Sequence, residues 1–157
     1  MEAPPGARDA RLDGVRHRVV THEAAGSLEE AARLRGMEPS AVIKTIVVRR
    51  SDDDYVFVLV PGDRLIDWPK LRAHLDERRL SMPGGQEALA ATGYAPGTIT
   101  PLGATSDWPV LADERLASGN ISIGAGRRGW SITIDGADLI ELLSADIADV
   151  TKPGNDS

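Results

Sequence analysis

Residues 42–60 read VIKTIVVRRSDDDYVFVLV. Two runs rich in β-branched residues, 42–48 and 55–60, flank RRSDDD, a block of charged and small polar side chains suited to a turn. The pattern predicts two strands joined by a loop. Lys44 interrupts the first run, where both faces are otherwise largely apolar. Alternation along a strand places it beside Val42, Ile46 and Val48. Its ammonium group therefore reaches along the sheet to water or stands at the mouth of a pocket, and the pattern alone leaves both readings open.

On the N-terminal side, Ser27 and Glu30 form a capping box, followed by an apolar stripe of Leu28, Ala31, Ala32 and Leu34. A helix is expected to run to Arg35 and stop at Gly36. On the C-terminal side, Asp67 caps a second helix with Pro69 in its first turn and a buried side of Leu71, Ala73 and Leu75. A short helix over 86–92 ends at Gly93. Residues 121–123 and 130–134 alternate apolar and small polar side chains around AGRRG, which predicts a hairpin with one buried face. A last helix over 138–143 and a last short strand over 147–150 complete the pattern.

Strands outnumber helices and tight turns join several of them. The expected fold is therefore α+β, a single domain with a curved mixed β-sheet flanked by helices, in preference to a doubly wound one. The first eight residues and KPGNDS (152–157) carry little apolar surface and read as flexible tails, leaving 9–151 as the domain.

Composition narrows the chemistry. The 157 residues contain no cysteine, which removes disulfides, thiolate metal sites and a cysteine nucleophile together. No apolar stretch approaches the roughly 20 residues that span a bilayer, and the N-terminal MEAPPGARDA lacks an apolar signal core. A cytoplasmic address without membrane contact is the expectation. The formal net charge of −6 argues against gripping nucleic acid through overall positive charge. Local basic groups exist at Arg49 and Arg50, at Lys70, Arg72, Arg78 and Arg79, and at Arg127 and Arg128. Sequence does not show whether they share a face.

Three constellations can be weighed. GAGRRG, residues 124–129, has the spacing of a dinucleotide-binding fingerprint, but that fingerprint requires a helix to follow, and β-forming WSITI follows instead. A glycine-rich hairpin turn is the better account. His17, His22 and His74 lack metal-ligand spacing, and no GxSxG elbow is present. GYAPGTITPLG, residues 93–103, is different: three glycines and two prolines constrain its backbone. Gly97 would let a ligand approach the main chain, where consecutive amides could donate to an oxyanion. An ordinary rigid loop is the alternative.

Lys44-Thr45 followed by aliphatics and the GxxxP loop from Gly97 to Pro101 together resemble the YbaK and ProX family of free-standing aminoacyl-tRNA deacylases. His22, the VPGD after the second strand, TGY before the loop and GxGRRG near the end fall in the same order. The resemblance covers about residues 17–150. It implies a trans-editing hydrolase that deacylates mischarged aminoacyl-tRNA bearing a small amino acid, on proline tRNA or a related tRNA. Lys44 would position the ester or the neighbouring phosphate and ribose, and amides near Gly97 and Thr98 would stabilise the oxyanion. His22, Thr45, Gly93, Tyr94, Ile99, Pro101, Gly126 and Ser131 would line the substrate site. The attacking group would be water or a group of the substrate, with no cofactor or metal.

Val20 and Ser131 depart from the cysteine-specific branch, where an aromatic and an acidic residue stand, so a small aliphatic or hydroxylated amino acid is equally open. The enzyme would hold the acceptor end and rely on prolyl-tRNA synthetase or an elongation factor for tRNA choice, with a shallow salt dependence. The competing expectations are a non-catalytic aminoacyl-tRNA or synthetase-binding module of the same fold, and hydrolysis of a small ester unrelated to tRNA.

Overall fold

The computed structural model describes residues 2–23 and 25–154. Its strands are β1 (His17–Thr21), β2 (Ile43–Ser51), β3 (Asp54–Pro61), β4 (Arg64–Ile66), β5 (Val110–Asp113), β6 (Asn120–Gly124), β7 (Trp130–Asp135), β8 (Asp146–Ala148) and β9 (Thr151–Pro153). Its helices are α1 (Leu28–Arg35), α2 (Trp68–Leu75), α3 (Gly85–Thr92) and α4 (Gly136–Leu142).

The stretch 42–60 forms the antiparallel pair β2–β3, with Lys44 opposite Val60 and Val48 opposite Val56. RRSDDD, expected as a loop, is mostly strand. Arg49, Arg50 and Ser51 extend β2 and Asp54 begins β3, with the register shift between Arg49 and Ser51. Only Asp52 and Asp53 turn the chain. Asp53 takes a left-handed conformation at φ 54°, which a short polar side chain tolerates better than most.

β3 continues through parallel pairing to β5, and β5 to β8, giving a four-stranded mixed sheet of order β2-β3-β5-β8. Both faces of β3 are covered, which explains its unbroken apolar sequence. Tyr55, Phe57 and Leu59 join a cluster with Ile123, Ile132, Ile134 and Leu139. Val56, Val58 and Val60 join Val48, Ile66, Leu71 and Val150 on the other side. A three-stranded antiparallel sheet of order β1-β7-β6 meets the first through a single parallel bridge, Val42 to Ser122. The α+β class holds, with the mixed sheet accompanied by a second sheet and a two-stranded β4-β9 pair.

Local signals account for the helix ends. Ser27 Oγ accepts from the Glu30 amide and Gly36 closes α1 in the left-handed region; Asp67 accepts from the Lys70 amide at the start of α2; Gly93 closes α3. Of the residues expected on the buried side of α2, Leu71 is fully buried and Leu75 packs partly against the second cluster. Ala73 is exposed, because this helix touches the core along a narrow stripe.

The expected tails require correction where they are described. Residues 5–8 form a 3-10 turn in which the buried Gly6 donates its amide to the Ala125 carbonyl at 2.9 Å. Lys152 and Pro153 belong to β9, paired with β4. The expected strand over 147–150 is realised only as β8, Asp146–Ala148, paired with β5; Asp149 and Val150 belong to no strand and lead into β9. Met1 and residues 155–157 lie outside the described residues. No described helix is long and apolar enough to cross a membrane.

Asp9 ties the N-terminal segment to the glycine loop. Its carboxylate accepts from the Gly103 amide at 2.8 Å and from Arg11 at 2.7 Å, and Arg11 in turn donates to the Pro101 carbonyl. Burial alone would raise the Asp9 pKa, but the hydrogen bonds from Arg11 and Gly103 outweigh it and hold the carboxyl at about 2. A depressed pKa contributes stability that is complete above the unfolded value near 4 and is lost as pH falls through about 2. With Arg11 partly exposed to solvent, the contribution is about 1 kcal/mol. Denaturant titrations between pH 4 and 2 should show this decline in the parent, and a flatter profile in Asp9→Asn.

Candidate active site

The open edge of β2, helix α1, the loop 96–99 and the β6–β7 hairpin loop enclose a cavity of about 600 Å3. His22, Lys44, Thr45, Gly97, Thr98, Ile99 and Gly126 line it. Seven residues singled out from widely separated parts of the sequence thus meet around one space. Four others do not line it. Gly93 is the C-cap of α3. Tyr94 is buried and donates its hydroxyl to the Leu102 carbonyl at 2.6 Å. The Pro101 carbonyl accepts from Arg11. Ser131 is buried on β7, its hydroxyl without a partner among the described residues.

Loop 95–98 is a tight turn. Pro96 and Gly97 occupy its centre, Gly97 has φ 92°, and the Thr98 amide donates to the Ala95 carbonyl at 3.1 Å, the arrangement of a type II turn. Thr98 Oγ1 donates to the same carbonyl at 2.9 Å. The expectation that Thr98 supplies an oxyanion donor therefore needs correction, since its amide is consumed by the turn. The Gly97 amide has no backbone acceptor among the described residues and is open to a ligand.

The hairpin turn supplies the facing wall. Gly126 has φ 98°, and a β-carbon there would come within 2.6 Å of the Tyr94 ring. Glycine is thus required both by the backbone and by the packing of Tyr94. The turn leads into β7 and opens no helix, so the glycines serve a hairpin and not a dinucleotide fingerprint.

Lys44 is half-buried on β2 and donates Nζ to the Arg64 carbonyl at 2.6 Å. Burial lowers its pKa, with Asp63 nearby opposing the shift. An ammonium group has three donors, so one anchors the side chain and two remain. His22 places Nδ1 2.8 Å from the Glu23 carbonyl. A carbonyl only accepts, so in the neutral ring Nδ1 carries the hydrogen and the buried, unpartnered Nε2 is an acceptor.

Three arginines in the lining were not assigned to the site from sequence. Arg35, the last residue of α1, donates to the buried Ser122 hydroxyl at 3.1 Å, while its Nε is buried without a partner. Burial lowers its pKa. Arg128 lies over the loop, such that a β-carbon on Gly97 would come 3.2 Å from its Nη2. Arg127 sits 5.8 Å from the Trp130 ring centre and donates to the Glu2 carbonyl. Among the described residues no Asp or Glu lines the cavity. In a chain of net charge −6, this space is bounded by Lys44 and three guanidinium groups.

The lining hydroxyls of Ser27, Thr45 and Thr98 make no hydrogen bond to a histidine or carboxylate among the described residues, so none is set up as an activated nucleophile. The described residues contain no group of three or more His, Asp or Glu that could hold a metal ion.

Residues 22–142 match the model of the aminoacyl-tRNA editing domain. The chain belongs to that family. The Enterococcus faecalis protein provisionally named Cys-tRNA(Pro)/Cys-tRNA(Cys) deacylase EbsC is 28% identical over 126 residues, covering 80% of this chain and 77% of that one. The multifunctional Ser/Thr-tRNA deacylase ProXp-y of Escherichia coli K12 is 25% identical over 145 residues, covering 89% and 87%. A crystal structure provisionally named a trans-editing enzyme for prolyl tRNA synthetase superposes with a TM-score of 0.83 over 96% of this chain and 99% of that one, at 24% identity. That likeness establishes an editing-domain fold across almost the whole described chain. The cavity lies within the matched residues, and its lining from His22 to Trp130 falls inside the editing domain.

Proposed function

We propose that the chain hydrolyses the ester of mischarged aminoacyl-tRNA, releasing a small amino acid and the free tRNA 3′ end. The observation that carries this reading is the cavity itself. It joins a glycine turn with an open amide to Lys44, Arg35 and Arg128 and includes no carboxylate among the described residues. Such a lining favours a substrate with anionic phosphate beside a reacting carbonyl, and disfavours one that needs an acidic partner.

In this reading water adds to the ester carbonyl carbon, and the bond to the ribose oxygen breaks, that oxygen taking a proton. The Gly97 amide donates to the carbonyl oxygen as it becomes anionic. Lys44 spends its two free hydrogens on the ester and the adjoining phosphate, while the Arg64 carbonyl fixes its position. His22 Nε2 accepts from a hydroxyl or the α-ammonium group of the substrate. Thr45, Ile99 and Gly126 bound the space.

Editing at a separate site answers a physical limit, since a synthetase pocket discriminates a missing methylene by only about 1–3 kcal/mol. The relatives' names refer to Cys in one case and to Ser and Thr in the other, consistent with a small side chain. A prolyl-tRNA synthetase or an elongation factor would supply tRNA choice, and the cytoplasm is where such a substrate forms.

The test is to incubate the protein with tRNAs mischarged with Ala, Cys, Ser and Thr and to follow loss of the ester. Release well above the uncatalysed rate for at least one of them is expected. Retained tRNA binding without release from any would replace this reading with the non-catalytic module.

A further inference from the structure

The arginines scattered through the central sequence converge. Arg49, Arg50, Arg72, Arg78 and Arg79 line one groove of about 620 Å3 together with Ser51, Asp52, Leu80 and Ser81. The fold brings them there by two local devices. Past the end of α2 the chain turns at Asp76 and runs back along β2, where Ser81 and Arg49 exchange backbone hydrogen bonds at 2.7 and 3.1 Å. Arg72, in the last turn of α2, then faces the two arginines at the end of β2.

Arg49 is paired with Asp52 and Glu87, and Arg50 with Glu77. Arg72, Arg78 and Arg79 have no ion-pair partner among the described residues. Five guanidinium groups therefore share a groove whose lining, among the described residues, includes a single carboxylate, Asp52. In a chain of net charge −6, such a concentration stands against the overall field.

The groove and the cavity adjoin along the chain. Ser81 lines the groove and Met82, the next residue, lines the cavity. Consecutive Cα atoms are about 3.8 Å apart, so a ligand that fills the cavity at Met82 has the groove within reach. Met82 is 60% exposed.

We propose that this groove binds the phosphate backbone of the RNA acceptor stem whose 3′ end enters the cavity. The inference rests on the deacylase reading for the occupant of the cavity. Unpaired guanidinium groups in a row suit phosphate oxygens better than a point charge does, and phosphate contacts position a nucleic acid without reading its sequence. The shallow salt dependence expected from sequence takes a definite value on this proposal. Three phosphates neutralised by Arg72, Arg78 and Arg79 give a slope of log K against log salt of about −2 to −3.

The test uses an uncharged RNA hairpin with an acceptor stem ending in CCA, its binding followed by fluorescence anisotropy from low to high salt. The parent is compared with the Arg72→Gln, Arg78→Gln, Arg79→Gln triple variant, with 5′-AMP as a ligand small enough for the cavity alone. The variant should bind the hairpin at least ~30-fold more weakly at low salt, with the slope reduced by about 1 per arginine, while 5′-AMP binds both proteins alike. Equal hairpin affinity and slope would overturn the proposal. Unchanged hairpin affinity with lost binding to purified prolyl-tRNA synthetase would also overturn it, assigning the groove to a protein partner. Failure of the deacylase reading looks different, because the hairpin would still bind through the groove while no aminoacyl ester is released.

Discussion

Replacing Lys44 by Ala should lower the rate of ester release about 100- to 1000-fold, the cost of removing one preorganised donor to a developing charge, while the protein stays folded. The ammonium group is half-buried, and its bond to the Arg64 carbonyl holds it at the edge of a space to which the described residues contribute no carboxylate. A side chain placed merely to snorkel would need only its aliphatic stem. Lys44→Met keeps that stem and removes the donors, so it separates the two roles. If Met restores release to the parent rate, Lys44 is a packing residue and the positive wall of the site rests on Arg35 and Arg128. Single-turnover rates on mischarged tRNA, with thermal melting of each variant as the folding control, give the answer. Met and Ala are expected to be equally slow.

The central strand pair, the helix caps at Ser27, Gly36, Asp67 and Gly93, and the late hairpin were legible because each depends on neighbours within a few residues. The extension of β2 through Arg49 and Arg50 was not, because charged residues resemble a loop until Glu77 and Glu87 arrive from elsewhere to pair with them. The same holds for residues 5–8 and 152–153, whose order comes from packing on Ala125 and pairing with β4. Lys44 was conspicuous as a charge in an apolar strand, and Gly97 as a glycine in a proline-bounded loop. Arg35 gave no such sign. At the end of an amphipathic helix it reads as an ordinary surface cation, and only the bridge between Val42 and Ser122 brings the second sheet against it. The engagement of the Thr98 amide was legible in principle, since Pro-Gly at the centre of a turn commits the following amide to the carbonyl three residues back.

Asp113→Ala should destabilise the fold by about 3 kcal/mol, because it strands several buried partners at once. Asp113 ends β5 fully buried. Its carboxylate accepts from the Arg115 amide at 3.1 Å, the Val150 amide at 3.3 Å and Thr151 Oγ1 at 2.8 Å, and it pairs with the Arg115 guanidinium. Arg115 is 39% exposed, so the ion pair itself is screened and contributes less than the buried hydrogen bonds. Truncation leaves the Val150 amide and the Thr151 hydroxyl without this acceptor at the junction that carries the chain into β9. Thr151 Oγ1 also accepts from Arg64 Nε at 2.7 Å, and the Arg64 carbonyl accepts from Lys44. A continuous line of polar contacts thus runs from the end of β5 through the β4–β9 pair to the ammonium group in the cavity. Chemical denaturation should report a lower midpoint for Asp113→Ala, and melting should fall by roughly 6–12 °C for a chain of this size. Asp113→Asn keeps one acceptor oxygen for Thr151 and is expected to lose about half as much. A loss below about 1 kcal/mol in the Ala variant would mean that water replaces the carboxylate at this junction, and that β9 is held by its pairing with β4 alone.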